Sequence, residues 1–109
     1  MKQIYNKLVR DKIPDIIKEN EETPVISILD DNKYKKELEK KLYEEYLEVI
    51  DSNGFDRIEE LADVLEVIKA LARLEGKTLD DVIKVAKVKA QKRGAFDKKI
   101  FLEKVIINK

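Results

Sequence analysis

Lys41 to Leu74, KLYEEYLEVIDSNGFDRIEELADVLEVIKALARL, constrains the fold more than any other stretch of the chain. Apolar residues recur at helical spacing on both sides of Asp51-Ser52-Asn53-Gly54, a run of turn formers. The pattern predicts two helices joined by a short turn, which fold back on one another as a hairpin. Each helix carries acids three residues apart, Glu45 and Glu48 on the first and Glu60 and Asp63 on the second. Residues at i and i+3 are surface neighbours, so closing the hairpin brings two acid pairs face to face. Four convergent carboxylates repel unless a cation sits among them, and oxygen-only ligands suit a hard divalent ion such as Mg²⁺.

The depth of these acids matters more than their spacing. The first helix, roughly Lys33 to Ile50, has an apolar face of Tyr34, Leu38, Leu42, Tyr46 and Val49. At about 100° of turn per residue, Glu45 falls inside that face and Glu48 at its border, about 60° away. The second, about Phe55 to Glu75, is apolar almost all round from Leu61 to Leu74, with Glu66, Lys69 and Arg73 as its solvent stripe. Glu60 projects in line with Val67 and Leu71, and Asp63 in line with Ala70 and Leu74. Three of the four acids therefore point where side chains are buried. Acids on helices are usually solvated surface, and chance alone supplies about five acid-x-x-acid pairs in a chain this acidic. Placement argues the other way, because a buried, unpaired carboxylate is costly.

Around the hairpin the elements are shorter. Residues 1–13 mix aliphatics with Lys7, Arg10, Asp11 and Lys12, and Pro14 suits the first turn of a helix from Pro14 to Asn20. Val25 to Leu29 reads as a small strand or a buried extended segment. Asp30, Asp31 and Asn32 each offer a cap for the helix that follows. Gly76 ends the apolar helix. Thr78 caps another that runs to about Arg93, with Leu79, Val82, Ile83, Ala86 and Ala90 inward, and Gly94 closes it. Ile100 to Ile107 alternates loosely and is placed to pair with residues 25–29. The expected fold is all-α: one domain over residues 1–109, about four helices, and at most a minor β pairing of terminal segments. The helix from Leu61 to Leu74 has more apolar surface than one partner helix covers, so the bundle is expected to be completed in a homodimer or homotetramer.

Composition removes several functions. The chain has no histidine and no cysteine, which excludes Ser-His and Cys-His catalysis, histidine- or thiolate-bound zinc, and disulfides. Any metal site must be built from oxygen. Twenty-three basic and 23 acidic residues cancel, so no overall field favours nucleic acid or an anionic membrane. No apolar run approaches the roughly 18 residues that span a bilayer, and MKQIYNKLVRDK lacks the apolar core of a signal peptide. A cytoplasmic location is the expectation.

KLYEEYLEVI followed by EELADVLEVIKAL resembles the E-x-x-E…E-x-x-D signature of the MazG-like, all-α nucleoside triphosphate pyrophosphohydrolases. That superfamily includes phosphoribosyl-ATP pyrophosphohydrolase and the dimeric all-α dUTPases. The opening YNKLVRDKIPDII and the closing KRGAFDKKIFLEKV resemble the phosphoribosyl-ATP pyrophosphohydrolase-like members in particular. The resemblance implies Glu45, Glu48, Glu60 and Asp63 as catalytic ligands of Mg²⁺, for which Mn²⁺ can substitute. It also implies Lys41 near the phosphates and Lys89 and Arg93 as a second basic pair that binds substrate. The implied reaction cleaves a nucleoside triphosphate between the α and β phosphates, giving monophosphate and pyrophosphate, as in the clearance of unwanted nucleotides. Phosphoribosyl-ATP hydrolysis is a narrower alternative, and a catalytically silent helical module for oligomerisation or partner binding is another. Glu48 or Glu44 is placed to orient the water. Arg10, Lys12, Lys92, Lys98 and Lys99 read as solvent-exposed, with Arg10 and Lys12 reaching phosphate only if the N-terminal segment folds over the acidic hairpin. Phe96 either stacks on a base or anchors the core.

Overall fold

A computed structural model describes residues 1–108. Among them are helices α1 (Ile13–Glu19), α2 (Asp31–Ile50), α3 (Gly54–Leu74) and α4 (Leu79–Arg93), and no strand. The all-α expectation holds, and each boundary has a local cause. Pro14 sits in the first turn of α1. α2 begins two residues earlier than expected because Asp30 takes the cap, its carboxylate accepting the backbone N–H of Lys33 at 2.8 Å. Gly54 opens α3 with φ of 59°. That left-handed value, which glycine adopts freely, lets the chain reverse within three residues, 51–53. Thr78 and Asp81 close a capping box at α4. The Asp81 N–H donates to Thr78 Oγ1, while the Thr78 N–H and hydroxyl donate to Asp81 Oδ2. Such a cap is worth about 1 kcal/mol.

α2 packs along α3, and α3 touches α4 more lightly; α1 lies against none of the other helices. Among the described residues the buried apolar core is small, Leu38 on α2 and Val67 and Ala72 on α3. α4 departs from expectation. Val82 and Ile83 remain 38% and 41% exposed, and Ala86 and Ala90 face solvent, so its apolar side is uncovered within one chain.

The anticipated β pairing does not form. Val25 and Ile28 are almost fully exposed, and the apolar residues from Ile100 to Ile107 are exposed as well. Two short extended segments without a shared apolar floor gain too little to pair, since a lone two-stranded ribbon is marginal in water.

The result is an extended molecule, 70 × 33 × 24 Å, with a radius of gyration of 19.2 Å. A compact chain of this length would have about 13 Å. Its accessible surface is 10664 Å², against about 6,200 Å² for a folded monomer of its mass. No helix among the described residues is long and apolar enough to cross a membrane.

Candidate metal centre

Packing α2 on α3 brings Glu45, Glu60 and Asp63 together. Each offers a carboxylate oxygen, and the three oxygens lie within 4.8 Å of one another. All three are partly buried, though the Asp63 side chain remains 41% exposed. Glu45 is the deepest, its side chain only 13% exposed. These are the three acids whose helical phase points to buried positions. Glu48 is exposed and lies outside the cluster of three, although its charge reaches Glu60. Glu44 is half-buried on α2 and is also outside the cluster.

Two cations partly compensate the acids. Lys41, one turn before Glu45, places Nζ 3.6 Å from Glu45 Oε1. Arg10 arrives from far along the chain and donates from Nη2 to Asp63 Oδ1 at 2.6 Å. Among the described residues Glu60 has neither an ion pair nor a side-chain hydrogen bond. Its carboxyl is held above the ordinary value of 4.5, first by loss of solvent and then by the charges of Asp63, Glu48, Glu45 and Glu59.

The donor set fits a hard divalent cation. Mg²⁺–oxygen bonds of about 2.1 Å put opposite ligands about 4.2 Å apart, and oxygens within 4.8 Å need only small side-chain rotations to meet that. Three carboxylates, with no nitrogen or sulfur ligand, suit hard cations such as Mg²⁺, Ca²⁺ or Mn²⁺ rather than softer metals, although acidic groups also cluster without any ion.

The remaining basic residues lie elsewhere. Lys89 and Arg93 are exposed on α4 and, with Lys84, Lys92, Val85 and Val88, line an open groove that contains no acid. Lys41 alone of the three implied phosphate-binding residues touches the acid cluster. Phe96 is 98% exposed and anchors no core within the chain. Arg10, read from the sequence as solvent-exposed, is 58% exposed and reaches the hairpin through its one contact with Asp63. No local periodicity reports a contact between residues 53 positions apart. Compared with known proteins, the chain matches no family model, no curated protein and no solved structure.

Proposed function

We propose that the chain is a Mg²⁺-dependent pyrophosphohydrolase that cleaves a nucleoside triphosphate between its α and β phosphates, giving monophosphate and pyrophosphate. The observation that carries this reading is the meeting of three carboxylate oxygens from two helices within 4.8 Å. Glu45, Glu60 and Asp63 would hold the cation, with Glu48 beside them to complete the ligand set or orient water. A bound Mg²⁺ would offset phosphate charge and lower the pKa of a coordinated water. Lys41 would face the phosphates once its partner Glu45 turns to the metal. No protein nucleophile is needed, which suits a chain without histidine or cysteine.

The working form would be a homodimer or homotetramer. An excess of about 4,400 Å² over a compact monomer exceeds what one side of a standard interface covers. Apolar side chains contribute to it: Phe55, Ile58, Leu61 and Leu65 on α3 and Tyr43, Tyr46 and Leu47 on α2 are all about half exposed or more. An assembled neighbour would also supply what a single chain keeps apart, the basic groove of Lys89 and Arg93 and the acid cluster. That separation is the one observation favouring the second reading, a catalytically silent oligomerising module.

Pyrophosphate release from a panel of standard and modified nucleoside triphosphates and phosphoribosyl-ATP, with Mg²⁺ and with EDTA, separates the two. The enzyme reading expects metal-dependent release with monophosphate as co-product, lost in Glu60→Ala while helical content is kept. Full activity in that variant would refute the site. Silence across the panel with no Mg²⁺-dependent rise in Tm would favour the module, since any ligand of the native state raises Tm by mass action.

A further inference from the structure

The contact between Arg10 and Asp63 has consequences for how a cation enters. Among the described residues it is the only hydrogen bond or ion pair joining residues 1–29 to the hairpin. α1, which follows Arg10 directly, packs on no other helix. The N-terminal segment is thus a strap with one polar latch, and the latch closes on a carboxylate of the acid cluster. Nη2 donates to Oδ1 at 2.6 Å, a charge-assisted geometry. The guanidinium therefore stands where positive charge is needed when the acids have no metal.

We infer that Arg10 is a counter-cation latch, displaced from Asp63 when a divalent cation binds Glu45, Glu60 and Asp63. This rests on the metal-centre reading above and adds a coupling to it. Two physical reasons make the two states exclusive. The oxygen nearest the guanidinium is committed to it, and a dication on the other oxygen of the same carboxylate would lie within a few ångströms of a fixed positive charge. Electrostatic repulsion at that range favours releasing the side chain that is 58% exposed and free to leave. Metal entry and strap release are then one event. Apparent metal affinity is lowered by the fraction of chains whose latch is closed.

Mn²⁺ alone is a sufficient probe. Its affinity is measured by calorimetry for the natural chain, for Arg10→Ala, and for Lys12→Ala, which removes a nearby charge not paired to the cluster. An exposed ion pair is weak, so the expected gain is small but measurable. Arg10→Ala binds Mn²⁺ about two- to fivefold tighter than the natural chain, and Lys12→Ala changes little. A second measurement needs no variant. Trypsin cuts after Arg10 only when its guanidinium is free to enter the protease, so Mn²⁺ should speed cleavage there relative to cleavage after Lys7 in the same chain. Equal affinities in the Arg10→Ala and Lys12→Ala variants, or a cleavage ratio unmoved by Mn²⁺, would overturn the latch and leave the metal centre standing. Absence of Mn²⁺ binding in all three chains would overturn the metal centre, and the latch with it.

Discussion

Replacing Leu61 and Leu65 together by serine tests whether a second copy of the chain covers the hairpin. The two lie one turn apart on α3 and are 46% and 47% exposed. Leu61 also lines an open apolar groove with Leu42, Tyr43, Tyr46 and Val49 of α2, where Tyr43 and Tyr46 stack at 6.1 Å. Burying a whole leucine side chain is worth about 1.5–3 kcal/mol, so covering the exposed half contributes about 0.7–1.5 kcal/mol. In a two-fold symmetric dimer each substitution acts twice. Four sites then sum to about 3–6 kcal/mol, or a rise in dimer Kd of about 10²- to 10⁴-fold. Sedimentation equilibrium reads this directly, with circular dichroism confirming that the variant keeps its helices. A natural chain that is monomeric at its highest soluble concentrations, or a variant with unchanged Kd, would refute the argument that this groove is an interface.

Two further outcomes concern the protomer itself. Leu38→Ala removes the most buried side chain of the seam, 3% exposed without any neighbour, and should cost about 2–5 kcal/mol in urea unfolding; a loss below about 1 kcal/mol would mean the seam is not closed as described. The carboxyl of Glu60, raised above 4.5, binds its proton more readily folded than unfolded. Its contribution is therefore fully favourable below 4.5 and is lost as pH rises through the raised folded value. Metal-free Tm should climb as pH falls from neutral toward that window, and Glu60→Gln should raise the neutral-pH Tm and flatten the climb. Equal slopes for the two chains would show that Glu60 is ordinary solvated surface.

Where periodicity is strong and the partner helix is the next one along the chain, the sequence was a good guide. The phase of α3 set Glu60 in line with Val67 and Leu71 and Asp63 in line with Ala70 and Leu74, and α2 set Glu45 between Tyr34 and Leu38. Those are the phases at which the three acids meet. Thr78 and Gly94 likewise bounded α4 correctly, because capping chemistry is local. The termini were misread for the opposite reason. Val25 to Leu29 and Ile100 to Ile107 have the composition of strands, yet a strand needs an edge to pair with, and composition carries no information on whether one is near. The inward face assigned to α4 is not inward in the structure, where Val82, Ile83, Ala86 and Ala90 are all exposed. Amphipathic spacing marks such a face but carries no information on whether a neighbouring surface covers it. Arg10 was beyond reach because its partner lies on an element whose docking depends on tertiary geometry.

The distribution of counter-charge bears on why these acids converge at all. Glu45 has Lys41 at 3.6 Å and Asp63 has Arg10 at 2.6 Å, while Glu60, facing both, has no cation among the described residues. Had the cluster served only to hold α2 against α3, a lysine or arginine opposite Glu60 would have balanced it, and with 23 basic residues the chain does not lack for them. Apolar residues of similar volume would have served the seam better still. A site that must admit a cation needs the reverse arrangement: enough compensation for the hairpin to fold, and one carboxylate left short. On the proposed metal-centre reading, the unmet charge would destabilise the metal-free protein and be recovered on cation binding, a local rule broken for the sake of a ligand. By this logic, adding a permanent cation beside Glu60 should stabilise the hairpin and abolish metal binding together, whereas charge added at Glu66, on the solvent stripe of α3, should do neither.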